Sequence, residues 1–294
     1  MISLPTVSFL VFLFSGSVGA PAQNQVSLVD DLGRTVTLAS PAQRVVSLAP
    51  SVTESLFAIG AGGQVVGVTD YCSYPPEARM KPRVGGMINP SIEAIVDLKP
   101  DLIIVSMEGN MRADFLALTG RGIPVYASNP RTMEGIMRSL GQLGALTGRS
   151  AEADSTIRGM KARTERVRAR TAGIRKGTLL LVSLQPLVVV GRNTFLNELL
   201  ELAGADNLAA RLHATYPVYS RETLLAEDPD VLLIMSDVIG DLSDLTILFP
   251  EWNRLSAFRR HHIRRVNADI LSRPGPRAVE GLEALYEIFH ERNK

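Results

Sequence analysis

The chain has 294 residues, 46% hydrophobic and 21% charged, with 24 Gly and 17 Pro, which excludes a disordered, collagenous or coiled-coil chain. Lys and Arg number 31 against 30 Asp and Glu, so no global field attracts nucleic acid. A single cysteine rules out an internal disulfide or a Cys-cluster metal site, and the four histidines are too scattered for a zinc signature.

The apolar run Val7–Phe14 has the length of a signal-peptide core, and Val18 and Ala20 suit a small-residue cleavage site, although no Lys or Arg precedes the run. The expectation is an export signal over residues 1–20, cut near Ala20, and a soluble mature protein outside the cytoplasm. Alternation on either side of Gly33-Arg34 predicts a hairpin over Val26–Leu38. Arg44–Ala49 reads as a buried parallel strand. Ser51 and Glu54 then fit a capping box for a helix that Gly60 closes. Strands follow at Val65–Val68, Leu102–Val105 and Pro124–Ala127, with helices at Ser91–Leu98 and Met111–Thr119 between them. Such alternation implies a parallel sheet covered by helices on both faces.

Thr132–Leu146 has helical spacing, and Ser150–Thr171 contains no Pro and one Gly. Twenty-two helical residues there would span about 33 Å. Residues 149–176 hold nine Lys/Arg and three Asp/Glu without interleaved aromatics, which reads as a solvated helix face and not a nucleic-acid site. Alternation resumes with a strand at Thr178–Leu184, helices at Thr194–Leu202 and from Ser220, strands at Val231–Met235 and Arg264–Asn267, and a terminal amphipathic helix over Ala278–His290.

An internal repeat carries the most information. Ser91–Val105, SIEAIVDLKPDLIIV, matches Ser220–Ile234, SRETLLAEDPDVLLI, at an offset of 129 residues, with Ser, Glu, Pro and Asp in register. Each copy reads as capped helix, Pro-Asp turn and buried strand. Two copies separated by one long helix predict an α/β protein of two doubly wound, Rossmann-like lobes joined by a single backbone helix, with a ligand cleft between them. The expected parts are a first lobe at 26–148, a linker helix at 149–173 and a second lobe at 174–294.

The segments RVVSLAPSVTESLFAIGAGGQVVGVTDYCSYPPEA (44–78) and NPSIEAIVDLKPDLIIV (89–105) resemble the periplasmic substrate-binding proteins of cobalamin and iron-siderophore ABC importers. The resemblance spans about residues 26–290. The Tyr-Cys-x-Tyr-Pro-Pro stretch at 71–76 and YPVYSRE at 216–222 look most like cobalamin-binding members. It implies a monomer that binds a corrinoid, with no catalytic cofactor and no resident metal, and hands it to an inner-membrane ABC permease. An iron-siderophore or haem is the alternative cargo.

The resemblance also implies roles for single residues. Glu93 and Glu222 match the acidic pair, one per lobe, that meets arginines of the permease; alone, each could be an early-helix Glu favoured by the helix dipole. Tyr71 and Tyr216 match cleft aromatics, with ordinary loop or core tyrosines as the other reading. Asp269 and Arg273 match a polar loop facing corrin side chains, where a local surface ion pair is the other reading. Arg277 belongs near the start of the following helix. Cys72, beside Tyr71, could offer a thiolate to cobalt or iron or could be a small buried hydrophobe. His261-His262 reads as a solvated turn. The sequence departs from the pattern at Gly85 and Ser106, where relatives place tryptophans, and the single Trp252 lies elsewhere. An enzyme is not expected: the chain lacks a Walker A motif and a Gly-x-Ser-x-Gly elbow, and Val65 stands where the dinucleotide fingerprint needs glycine.

Overall fold

A computed structural model describes residues 25–290 apart from 108, 172 and 174. The expected export signal lies outside the described residues. The chain opens with a hairpin, β1 (Val26–Val29) and β2 (Thr35–Leu38). A four-stranded parallel sheet follows, built from β3 (Val45–Ser47), β4 (Val65–Val68), β5 (Leu102–Ser106) and β6 (Val125–Ser128) in the order β4-β3-β5-β6. Its helices are α1 (Pro50–Ala58), α2 (Ile92–Asp97), α3 (Arg112–Thr119) and α4 (Met133–Thr147).

The chain then leaves the first lobe along α5 (Ser150–Arg170). The second lobe holds β7 (Lys176–Leu184), β8 (Leu187–Val189), α6 (Phe195–Ala203), β9 (Ala205–Asn207), α7 (Arg221–Glu227), β10 (Val231–Met235), α8 (Leu245–Leu248), α9 (Ser256–Arg259), β11 (Ile263–Val266), α10 (Ala268–Leu271) and α11 (Ala278–His290). Its path is β11-β10-β7-β8, with β9 beside β7; every pairing is parallel except the β7–β8 hairpin. Both predicted lobes and their α/β alternation are present.

One apolar cluster runs through both lobes. It unites Leu140 and Leu143 of α4, Ala153, Met160 and Val167 of α5, Leu199 and Leu200 of α6, and Leu282, Leu285 and Phe289 of α11. α5 therefore lies on a shared core, buried through Ala153, Met160, Thr164 and Val167 while its basic residues stay at the surface. Glu198 of α6 reaches across the lobes and accepts the Met133 N–H at the start of α4. Burial raises its pKa, opposed by that hydrogen bond.

The repeat is structural as well as textual. Ser91 and Ser220 are the N-caps of α2 and α7, accepting from Ala94 N and Thr223 N. The residues before the two prolines, Lys99 and Asp228, share a left-handed backbone at φ 46° and 38°. The Pro-Asp aspartates then secure the first strand of each sheet. Asp101 accepts the backbone N–H groups of Gln43 and Arg44 at 2.7 and 2.9 Å, and Asp230 accepts that of Gly177 at 3.0 Å. Since these strands begin beside the aspartates, α2 and α7 run back from the strand-end side of each lobe, placing their first turns on that side.

Asp101→Ala removes both charge-assisted bonds that hold the start of β3, and should cost about 1–3 kcal/mol of stability. Urea unfolding reads this directly; a variant as stable as the parent would show that Asp101 holds nothing.

Candidate functional site

The strand-end edges of the two sheets meet at a charged cluster. Glu54 lies in α1, directly after β3, with its side chain 1% exposed. Arg273 and Arg277 follow α10, which itself follows β11. Arg277 grips Glu54 with both prongs, Nε–Oε2 at 2.8 Å and Nη2–Oε1 at 2.6 Å. Arg273 Nη1 adds a bond to Oε1 at 2.8 Å. Asp269 closes the ring, pairing with Arg273 and lying 2.8 Å from Arg277 Nη2. The bond to Glu54 raises the pKa of Arg277, against the opposing effect of burial, and Tyr74 lies under its guanidinium at 4.0 Å. Beside it the two lobes touch closely: a Cβ on Gly275 would come within 3.3 Å of Ser51 O.

This cluster forms a junction between the lobes next to the cleft. On the second-lobe side a hollow of about 420 Å³ is lined by Ser236, Asp237, Ala268, Asp269, Ser272 and Arg273. The expected Asp269–Arg273 pair thus exists and borders a recess, and Asp269 remains 45% exposed. The sequence reading missed the larger network: Ser51 and Glu54 do not form a capping box. The N-cap of α1 is Ala49, with Pro50 at the first turn, so Glu54 is free to serve the opposite lobe. The acid–base–base spacing of Asp269, Arg273 and Arg277, four residues apart, was the available signal for that network.

The first-lobe wall is framed by hydrogen bonds. Asn110 donates to Leu48 O and Met87 O at 3.0 and 2.8 Å and accepts from Ser106 N at 2.8 Å. Asp70 N reaches Gly85 O at 2.9 Å, tying the loop that carries Tyr71 to the same frame. Gly85 sits at φ +92°, where a Cβ would approach Asn89 O to 3.1 Å, so a tryptophan cannot occupy this backbone without strain. Ser106 is committed to Asn110 through its N–H. Trp252 is fully buried, stacked on Phe249 with ring centroids 4.2 Å apart.

Tyr71 is 61% exposed on the first lobe and Tyr216 47% exposed on the second. Cys72 is a correction. Its sulfur is fully buried, with the hydroxyls of Thr53 and Thr69 at 3.1 and 3.2 Å, so the thiol packs inside the lobe and cannot meet a ligand in the cleft. Glu93 and Glu222 are both exposed at the second helical position after their caps. The Glu222 carboxyl is held below the usual range by its own backbone N–H and the Ser220 hydroxyl. His261 is exposed at φ 55°, and His262 contacts Asp230 O. No helix among the described residues is long and apolar enough to cross a membrane.

Residues 45–270 match the family described as periplasmic binding protein, and the chain belongs to that family. It is 28% identical to a vitamin B12-binding protein of Vibrio parahaemolyticus over 87% of this chain and 92% of that one. The structure of the periplasmic vitamin B12 binding protein BtuF of Vibrio cholerae matches with TM-score 0.76 and 28% identity, covering 85% of this chain and 97% of that one. The periplasmic haem-binding protein RhuT of Roseiflexus matches with TM-score 0.77 and 26% identity, over 86% and 100%. The chain is a binding protein and not an enzyme.

Glu54→Ala leaves two guanidiniums, 16% and 12% exposed, sharing the single carboxylate of Asp269, and should cost about 3–5 kcal/mol by chemical denaturation. Asp269→Ala, at a half-exposed carboxylate, should cost below about 1 kcal/mol. Equal losses would show that the two carboxylates hold the cluster alike, and a larger loss for Asp269→Ala would show that Glu54 is not its anchor.

Proposed function

We propose that this member of the periplasmic binding protein family captures cobalamin or a related corrinoid in the periplasm and delivers it to an ABC permease of the inner membrane. Lobes spanning 26–148 and 174–294 would hold the ligand between them, on the linker at 149–173, after a signal over residues 1–20 is removed. The observation that supports it best is the character of the cleft: exposed Tyr71 and Tyr216 on opposite lobes, and the Asp269–Arg273 pair at the junction. A corrin is a broad, largely apolar disc edged by amides. Aromatic faces suit the disc, and a carboxylate beside a guanidinium suits amide N–H and C=O groups.

Haem is the second reading. The likeness to a haem-binding structure is as close as that to the corrinoid-binding one. Tyr71, exposed to 61%, would offer a phenol oxygen to ferric iron. Calorimetry with cyanocobalamin, cobinamide, haemin and a ferric hydroxamate separates these. The corrinoids should bind one-to-one, and Tyr216→Ala should weaken them by about 1–3 kcal/mol, the scale of a lost aromatic contact. Binding of haemin or the hydroxamate alone would move the cargo accordingly.

Delivery rests on Glu93 and Glu222. Each sits in the first turn of its helix, at equivalent places in the repeat, and would lie at the outer tip of its lobe away from the cleft floor, so a two-fold permease could take one carboxylate per subunit through arginine. Engaging the second contact on a rigid body is intramolecular, so losing both should exceed either loss alone. Glu93→Ala with Glu222→Ala should retain ligand affinity and lose transport into vesicles holding the permease. Normal transport, or lost ligand binding, would refute the docking role.

A further inference from the structure

We propose that the first-lobe wall of the cleft is a methionine surface whose thioethers touch the flat face of the ligand, so that peroxide oxidation of this wall lowers ligand affinity. The inference rests on the reading of the cargo as a corrinoid or haem macrocycle.

Met107 and Met111 are 41% and 53% exposed, and Ile88 beside them is 68% exposed. Large apolar side chains clustered at one edge of a soluble lobe mark a contact surface. These lie directly after β5 and in the loop before α2, at the strand ends that border the cleft. The backbone beneath them is held in place. Asn110, between Met107 and Met111, binds Leu48 O, Met87 O and Ser106 N, and Met107 N reaches Ser128 O at 3.1 Å. Met87 reaches across to the neighbouring loop, its terminal methyl carbon lying against Gly109 where a Cβ would stand. The result is a fixed frame carrying unbranched, polarisable tips. Such tips adapt to a broad apolar ring and, where that ring is the aromatic porphyrin of haem, make favourable sulfur–aromatic contacts as well.

The same chemistry makes the wall oxidisable. Hydrogen peroxide transfers one oxygen to the sulfur; the O–O bond breaks, sulfur loses two electrons, and water leaves. The sulfoxide is polar, and a polar group pressed against an apolar ring loses its hydration without a replacement. The thiol does not compete for this oxidant at the surface, because Cys72 is fully buried.

The test uses full-length mature protein and two probes, cyanocobalamin and haemin, titrated before and after hydrogen peroxide, with peptide mass spectrometry to map the added oxygens. Oxygens should map to Met107 and Met111 as well as to Met80, which is 81% exposed and lies outside these loops, and affinity for the bound probe should fall about tenfold or more. Met107→Leu with Met111→Leu should bind about threefold more weakly than the parent through loss of the sulfur contacts, and peroxide should weaken it no further. Met107→Gln with Met111→Gln should reproduce the oxidised parent. Undiminished binding with both sulfoxides in place, or a leucine variant as sensitive as the parent, overturns the inference while leaving the cargo intact. A parent that binds neither probe overturns the macrocycle reading and this inference with it.

Discussion

The bidentate grip of Arg277 on the Glu54 carboxylate is the contact on which the arrangement of the two lobes depends. The Glu54 side chain is 1% exposed, and the guanidiniums that pair with it come from the opposite lobe. A buried pair of this kind seldom adds net stability over a well-packed apolar patch, because desolvating the ions cancels much of the attraction. Its consequence is geometric. An apolar contact tolerates sliding, whereas two parallel N–H···O bonds at 2.6 and 2.8 Å fix both distance and direction. That fixes where α1 sits relative to the segment after β11, and with it the mouth of the cleft. Arg273 shares the same carboxylate, so the guanidinium that borders the second-lobe recess is oriented from the first lobe.

The apolar core enforces the same constraint over a larger area. Because one cluster includes α4, α5, α6 and α11, a wide hinge opening would expose apolar surface at about 25 cal/mol per Å² as well as break the ion cluster. Glu198 adds a directional contact at the start of α4. Adaptation to a ligand therefore falls to side chains at the rims, not to the angle between the lobes. In the proposed reading the exposed tyrosines and methionines would supply it.

The lobes were legible because their information is local. Thr132, Thr194 and Ser220 are helix caps at the expected boundaries, and Gly148 and Gly204 close α4 and α6 in left-handed conformations. The strand at Val231–Met235 is as predicted, a run too apolar to be anything but buried. Short β8 and β9 were missed, since three residues carry no periodicity and pair with β7 only through tertiary context. Ser51 and Glu54 misled for a related reason. Their spacing satisfies a local rule, but the partner that claims Glu54 lies more than two hundred positions later in sequence, and a single chain gives no sign of so distant a pairing. Cys72 shows the limit from the other side. Its neighbour Tyr71 is exposed while the thiol turns inward between Thr53 and Thr69, and adjacency in an irregular loop does not say which side chain faces solvent.

The repeat shows which features the architecture requires and which it leaves open. The cap serine, the left-handed residue before proline and the aspartate that secures the first strand recur at the same offset in both lobes, because each lobe must solve the same problem of turning a short helix back into a central strand. Glu93 and Glu222 recur too, yet neither makes the fold: both are exposed, and one acid in a first turn contributes only a dipole term of about 0.3–1 kcal/mol. Recurrence without a folding role is what a partner with two equivalent contact points would impose. The exposed residues proposed for the cleft repeat only in part: each lobe presents a tyrosine, but the methionines stand on the first lobe and the Asp269–Arg273 pair on the second. An asymmetric lining within a pseudo-symmetric frame would suit an asymmetric ligand held, as proposed, between lobes that meet a transporter through two equivalent carboxylates.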